Sequence, residues 1–272
     1  MNNLLQRCLL LTALALCNPA ISEISVRDDL DREITLATPA ERIITLAPHA
    51  TEMLLAIDSG HKIIAAAHFF DYPPSMRDVP KINTLGGLDR EALLGYQPDL
   101  VIAWASGNRP GDLQWLADSA IPVFMSEPKD LAAIAATLEK LGALSGEAEK
   151  GKYAANRFST RIADACQQRR NSPMESAYYE IWPNPPMTIG GKHWLNEVLQ
   201  LARLRNIFSF VPRAVFTVSM ESLLAHPPQV ILTTRPAPAH QQGNARVILA
   251  SPTLGRPGPR IAEGLEQLCQ AL

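Results

Sequence analysis

Along the chain, short apolar bursts alternate with stretches in which apolar residues recur at helical spacing. "RIITLA" (42–47) runs into "TEMLLAI" (51–57), "KIIAAA" (62–67) into a loop, and "REALLGY" (90–96) into "DLVIAW" (99–104), "DLQWLADS" (112–119) and "PVFMS" (122–126). β-branched or aliphatic runs alternating with helices predict βαβ units and a mainly parallel sheet. Ahead of them, "ISVRDDLDREITLA" (24–37) reads as a hairpin around an Asp-rich turn that covers a sheet edge. The same alternation resumes in the second half, with strands "SAYYEIW", "MTIG", "QVILTT" and "ARVILA" and helices "HWLNEVLQLA", "MESLLAH" and "RIAEGLEQLCQAL".

Between the halves, residues 145–170 contain no proline, with Glu147 and Glu149 early and Arg169 and Arg170 late, as the helix dipole favours. A single helix there would be about 37 Å long, long enough to bridge two lobes as a stiff strut and to leave them little freedom to close. The expected organisation is an N-terminal α/β lobe (23–128), helices including the strut (129–170) and a C-terminal α/β lobe (171–272).

The halves also share a frame. "REALLGYQPDLVIAW" (90–104) and "MESLLAHPPQVILTT" (220–234) align with Glu91 on Glu221 and Pro98 on Pro228. One such acid is an ordinary helix-end residue. Two in equivalent places, each in the first turn of a helix, form a two-point docking surface for a symmetric basic partner.

In a parallel α/β sheet, ligands bind beyond the carboxyl ends of the strands. The segments expected there are "PHAT" with Pro48 and His49, "HFFDYPP" with His68, Phe69, Asp71 and Tyr72, and "TLGG" with Leu85 and Gly86. They continue with "WASGNRP", bringing Trp104, Gly107 and Asn108, then "WPNPP" with Trp182 and Pro186, "RAVFT" with Phe216, and "LGRPG" with Arg256. Rings, prolines and a few polar groups suit a large, flat, partly apolar ligand better than catalysis. Trp115 and Trp194 fall within helical patterns and read as packing. His49, His68 and His193 stand near crevice loops; converging on one metal, they would make a zinc-dependent secreted hydrolase instead.

Composition narrows the classes. Of 272 residues 47% are hydrophobic, so the chain has ample material for a core. Lys plus Arg (25) nearly balances Asp plus Glu (27), which leaves no field to attract nucleic acid. The start, "MNNLLQRCLLLTALALCNPAIS", has Arg7, an apolar run of about ten residues and then small residues, the layout of an export signal over 1–22. Its removal leaves Cys166 and Cys269, a pairable number in an oxidising compartment; sequence leaves open whether they meet.

Taken together, "RIITLAPHATEML", "DYPP", "LDREALLGYQPDLVIAW", "NPPMTIGGKH", "VSMESLL" and "GPRIAEGLEQLCQAL" resemble the periplasmic cobalamin-binding proteins that feed ABC importers, within the helical-backbone class of chelate and metal receptors. The resemblance covers essentially all of the chain after the signal. It implies two Rossmann-like α/β lobes joined by a long backbone helix and a monomer with no cofactor of its own. Cobalamin or a related corrinoid would lie between the lobes, against Trp104, Tyr72 and Arg256. Glu91 and Glu221 would seat on arginines of a dimeric permease that works with an ATPase subunit. Leu85 stands where that family has a Trp, and Val215 or Phe216 where it has an aromatic before "VS". Ala202 replaces the family's usual partner of Cys269, leaving Cys166 as the candidate. A ferric siderophore or haem receptor of the same fold is the nearest alternative.

Overall fold

The computed structural model describes residues 23–68, 72–235 and 244–272. The expected signal (1–22), Phe69 and Asp71 lie outside the described residues.

The chain opens with a hairpin, β1 (Ile24–Arg27) and β2 (Glu33–Leu36), paired from Ile24 opposite Leu36. Asp28 organises its turn by accepting from the amides of Leu30 and Arg32, both at 2.9 Å, and from Met125 N at 3.1 Å. Met125 belongs to the edge strand of the first large sheet, so the Asp-rich turn ties the hairpin to that edge, as the sequence predicts.

That sheet contains β3 (Ile43–Thr45), β4 (Ile63–Ala67), β5 (Lys81–Ile82), β6 (Leu100–Trp104) and β7 (Val123–Ser126). The strands are parallel, in the order β5-β4-β3-β6-β7. Helices α1 (Pro48–Ala56), α2 (Arg90–Gly95) and α3 (Pro110–Asp118) connect them. α4 (Leu131–Leu144) and α5 (Ala148–Asp164) follow. Next come β8 (Glu175–Glu180), β9 (Trp182–Pro183), β10 (Pro186–Ile189), α6 (Leu195–Leu201), β11 (Leu204–Asn206), β12 (Val215–Thr217), α7 (Met220–Ala225), β13 (Val230–Thr233), β14 (Arg246–Leu249) and α8 (Ile261–Ala271). β9, β10 and β12 form a small antiparallel sheet, while β11-β8-β13-β14 form a second parallel one.

The two parallel sheets repeat one plan. In each, the first strand (β3, β8) has the next parallel strand (β4, β11) on one side and the strand after the Glu-bearing helix (β6, β13) on the other. Even the clasp between strand starts is repeated. Asp99, just before β6, accepts from the amides of Glu41 and Arg42 at 2.8 and 2.9 Å, and Gln229, just before β13, accepts from Ser176 N at 2.8 Å. Asp99 and Gln229 occupy matching places in the internal repeat, each directly after its proline.

The helix between the halves is shorter than the expected 145–170. Gly146, at φ 77°, turns the chain between α4 and α5, and the Glu147 amide closes that turn on Gly142 O at 2.7 Å. α5 then has 17 residues, about 25 Å at about 1.5 Å per residue. The two helices touch backbone to backbone: a Cβ on Gly142 would come within 2.8 Å of Gly151 Cα, so side chains are excluded at the crossing. Cys166, two residues past the end of α5, forms a disulfide with Cys269 of α8, with Cα atoms 5.5 Å apart, and α5 itself is joined to α8 by a two-pronged Arg161–Glu266 pair at 2.9 and 2.7 Å. Its Phe158 enters a continuous apolar core that includes Ile43 and Leu100 of one sheet, Ala177 and Leu232 of the other, and Leu265 of α8. No helix among the described residues is long and apolar enough to cross a membrane.

Candidate functional site

In the first sheet β3 lies between β4 and β6, so the chain leaves the carboxyl ends of β3 and β6 in different directions and opens a crevice there. Trp104 ends β6 at this point, and three neighbours fix its position. Asn108 accepts from the Trp104 amide at 2.7 Å and donates to Leu46 O at 3.1 Å, clipping the ends of the two strands together. Gly107 leaves room for the indole, since a Cβ there would overlap the ring. His49 meets the ring edge-on, with centroids 5.4 Å apart and planes at 81°.

Trp104 lines a cleft of about 810 Å³. From the same half come Ser106, Glu127 and Lys129; Glu127 is held by the Ser106 amide at 2.7 Å and hydroxyl at 2.9 Å. The second half supplies Tyr179, Glu180, Lys192, His193, Trp194, Val215, Thr234 and the segment around Gly255 and Pro257. Thr234 is the repeat counterpart of Trp104, so matching strand ends face one cleft. Burial pushes the Tyr179 phenol up to about 12, keeping it neutral. Burial also pushes His193 down to about 4. Its Nδ1 lies 3.1 Å from the Leu195 amide and accepts from it, which places the ring proton on Nε2. Glu180 is buried and accepts from the Thr233 hydroxyl at 2.9 Å.

Several residues expected in the crevice lie elsewhere. Pro48 is the first residue of α1, so Pro48, His49 and Thr51 turn inward instead of remaining at an exposed strand tip. His49 is 1% exposed, bonded through Nε2 to Ser126 Oγ at 2.8 Å and pushed down to about 3 by burial; it supports Trp104 from beneath. Phe216 turns its ring onto Phe208, at 5.6 Å, because alternate strand residues face opposite sides, and Val215 lines the cleft instead. Leu85, 68% exposed, and Gly86, whose carbonyl accepts from Arg109, sit on the loop before α2 and do not line the cleft. Pro186 pairs with Pro183 in the small sheet. Trp182 lies beneath the Arg235 guanidinium at 4.9 Å; the lining residues Ile181 and Thr234 are its neighbour and that arginine's neighbour.

Tyr72 lines a separate groove of about 490 Å³ between α1, α5 and the start of α8, where the Arg260 guanidinium stacks on its ring at 3.6 Å. Glu52 of α1, which lines this groove, reaches the second half. It pairs with Arg256 at 3.3 Å and Arg260 at 3.5 Å, and Gly258 lies close against it and His49. His68 directly follows β4, its amide donating to Ile82 O at 3.0 Å, and His49, His68 and His193 do not converge. Among the described residues no group of His, Cys, Asp and Glu is placed to hold a metal ion.

Glu91 and Glu221 are exposed in the first turns of α2 and α7. Each helix has six residues and a side-chain cap: Asp89 accepts from Ala92 N at 3.0 Å, and Ser219 from Ser222 N at 3.1 Å.

Among the cleft residues missed from sequence are Glu127, Lys129, Tyr179, Glu180, Lys192, Trp194 and Thr234. Tyr179 and Glu180 carried a usable signal, since they close "SAYYE" at the carboxyl end of a strand. Trp194, read as packing, both touches the core and lines the cleft.

Comparison with known proteins places this architecture. A family model for periplasmic binding proteins matches residues 43–256. The chain is 34% identical over 247 residues to a vitamin B12-binding protein of Vibrio cholerae serotype O1, covering 86% of this chain and 90% of that one. It is 33% identical over 240 residues to a vitamin B12-binding protein of Photorhabdus laumondii, covering 85% and 87%. The crystal structure of the periplasmic vitamin B12-binding protein of Vibrio cholerae matches with a TM-score of 0.78 at 33% identity, over 86% of this chain and 96% of that one. A periplasmic heme-binding protein of Roseiflexus sp. RS-1 shares the fold, with a TM-score of 0.73 at 22% identity over 85% and 97%.

Proposed function

The chain belongs to the periplasmic binding protein family, and from that premise we propose that it captures cobalamin in the periplasm and delivers it to an inner-membrane ABC importer. It acts as a monomer, without catalysing a reaction, after loss of the export signal at 1–22. Its partners are the importer's permease, reached through Glu91 and Glu221, and the attached ATPase subunits.

The observation that carries this reading is the cleft of about 810 Å³ in which Trp104 of one half is held rigid opposite Tyr179 and Trp194 of the other. Two walls bearing aromatic rings suit a corrin held edge-on, and the cost of ordering Trp104 is already met before ligand arrives. Lys129 and Lys192 are cations in the same cleft, suited to the carbonyls and phosphodiester of a corrinoid. Cobalt enters already chelated, so the protein need supply no ligand to it. The vitamin B12-binding relatives, a third identical over most of both chains, support the same assignment.

A haem receptor would use the same cleft, where His193 and Tyr179, beside the carboxylates Glu127 and Glu180, are groups that can ligate iron. Both are set up otherwise: the imidazole presents a protonated Nε2, and burial keeps the phenol neutral. Calorimetric titration of the mature protein with cyanocobalamin is expected to show saturable binding of one molecule. Saturable binding of haemin, with none of cyanocobalamin, would replace the proposal by the haem reading.

A further inference from the structure

The internal repeat extends beyond its glutamates. Aligned on Pro98 and Pro228, Glu91, Leu93 and Leu94 match Glu221, Leu223 and Leu224, whereas Arg90, Ala92, Gly95 and Tyr96 face Met220, Ser222, Ala225 and His226. The two leucines of each copy have opposite fates. Leu93 and Leu223 are buried, at 0% and 2% exposure, and Leu94 and Leu224 are exposed, at 51% and 67%.

Residues three apart on a helix are neighbours on one face. Each half therefore presents an anion beside an apolar knob, on helices of equal length that lead into equivalent strands. A solitary exposed leucine is ordinary. The same leucine exposed beside the same acid, at matching positions of two copies that differ at most intervening residues, calls for a shared cause. Folding does not supply one, because in both copies the adjacent leucine already anchors the helix to its core.

We propose that Leu94 and Leu224 form, with Glu91 and Glu221, the surface that docks on the membrane permease. The partner chemistry this fits is a two-fold symmetric membrane protein offering, on each protomer, a cationic side chain next to an apolar hollow. The charges would set approach and register, and the leucines the lifetime of the complex. The inference rests on the docking reading above and adds a second component to it.

The test measures association of the cyanocobalamin-loaded protein with its importer in lipid nanodiscs. It compares the parent chain with Leu94→Ala, Leu224→Ala, their double variant, Glu91→Ala/Glu221→Ala and, as a control, Leu249→Ala, an exposed leucine on β14. Each single leucine change is expected to weaken docking about tenfold and the pair about a hundredfold, mainly through faster dissociation. Cyanocobalamin affinity and melting temperature should stay at parental values, and the control should dock normally. Parental docking by the double leucine variant, or a loss confined to one leucine, overturns the twin-knob assignment while leaving the glutamates in place if their variant fails to dock. If the glutamate variant also docks normally, the docking reading itself is lost, whatever the leucines do.

Discussion

Trp104 depends on a neighbour with no side chain. Gly107→Ala would drive a methyl into the indole and force it off its site, so affinity for cyanocobalamin should fall at least about tenfold, with a stability loss of about 1–3 kcal/mol. Titration calorimetry and urea unfolding on the one variant read both. His49 and His193 give a pH signature. Their folded values, about 3 and about 4, lie below the ordinary 6.5, so the unfolded chain binds more protons between those limits. Stability from this source is full above pH 6.5 and is lost as pH falls towards 3, by at most about 1.4 kcal/mol per pH unit for each ring. A His193→Gln variant should show a shallower decline between pH 6.5 and 4 in chemical unfolding; an unchanged slope would deny His193 that role. Trp104 was legible from sequence because it closes a run of strand residues. His49 was misread because Pro48 starts a helix at once, and Phe216 because three strand residues give too little alternation to fix which face is buried.

At the scale of elements, the expected single helix over 145–170 is the shorter α5 (Ala148–Asp164), which a turn at Gly146 folds back onto α4 at a Gly–Gly crossing. Charge placement and the lack of proline favoured continuity, but Gly146 takes a backbone conformation other residues reach at a cost. The repeated strand–helix–strand plan was legible because parallel strands buried on both faces must be apolar throughout; β5, β11 and β12, at two or three residues, are too short to leave such a pattern. The disulfide closes a separation of 103 residues between the segment just after α5 and α8. Cys269→Ser should cost about 2–5 kcal/mol in urea unfolding under oxidising conditions, and a variant as stable as the parent would contradict that role. On α2 and α7, Glu91→Ala with Glu221→Ala should leave cyanocobalamin affinity intact and abolish uptake by cells that rely on this chain. Weaker binding of free ligand would instead put the glutamates in the ligand site.

As a whole molecule, the chain joins two copies of one sheet plan through several independent ties: the shared core, α5, the disulfide, and the Glu52 pairs with Arg256 and Arg260. These ties limit how far the halves can separate without being broken, which fits release of the ligand by the importer rather than by spontaneous opening. The family was legible from scattered motifs, but the cleft was only half so: "RAVFT" and "LGRPG" supply Val215, Gly255 and Pro257, whereas Tyr179, Glu180 and Trp194 lie at a strand end and a helix start that no expected crevice segment included. The groove at Tyr72, lined in part by Glu52 and Arg260, is a cavity separate from the cleft, so there are two places a ligand could sit. Cobalt makes the choice between them measurable. In crystals grown with cyanocobalamin, the cobalt anomalous peak should fall in the cleft bounded by Trp104, Tyr179 and Trp194; a peak in the groove beside Tyr72 and Tyr153, or outside both halves, would contradict it.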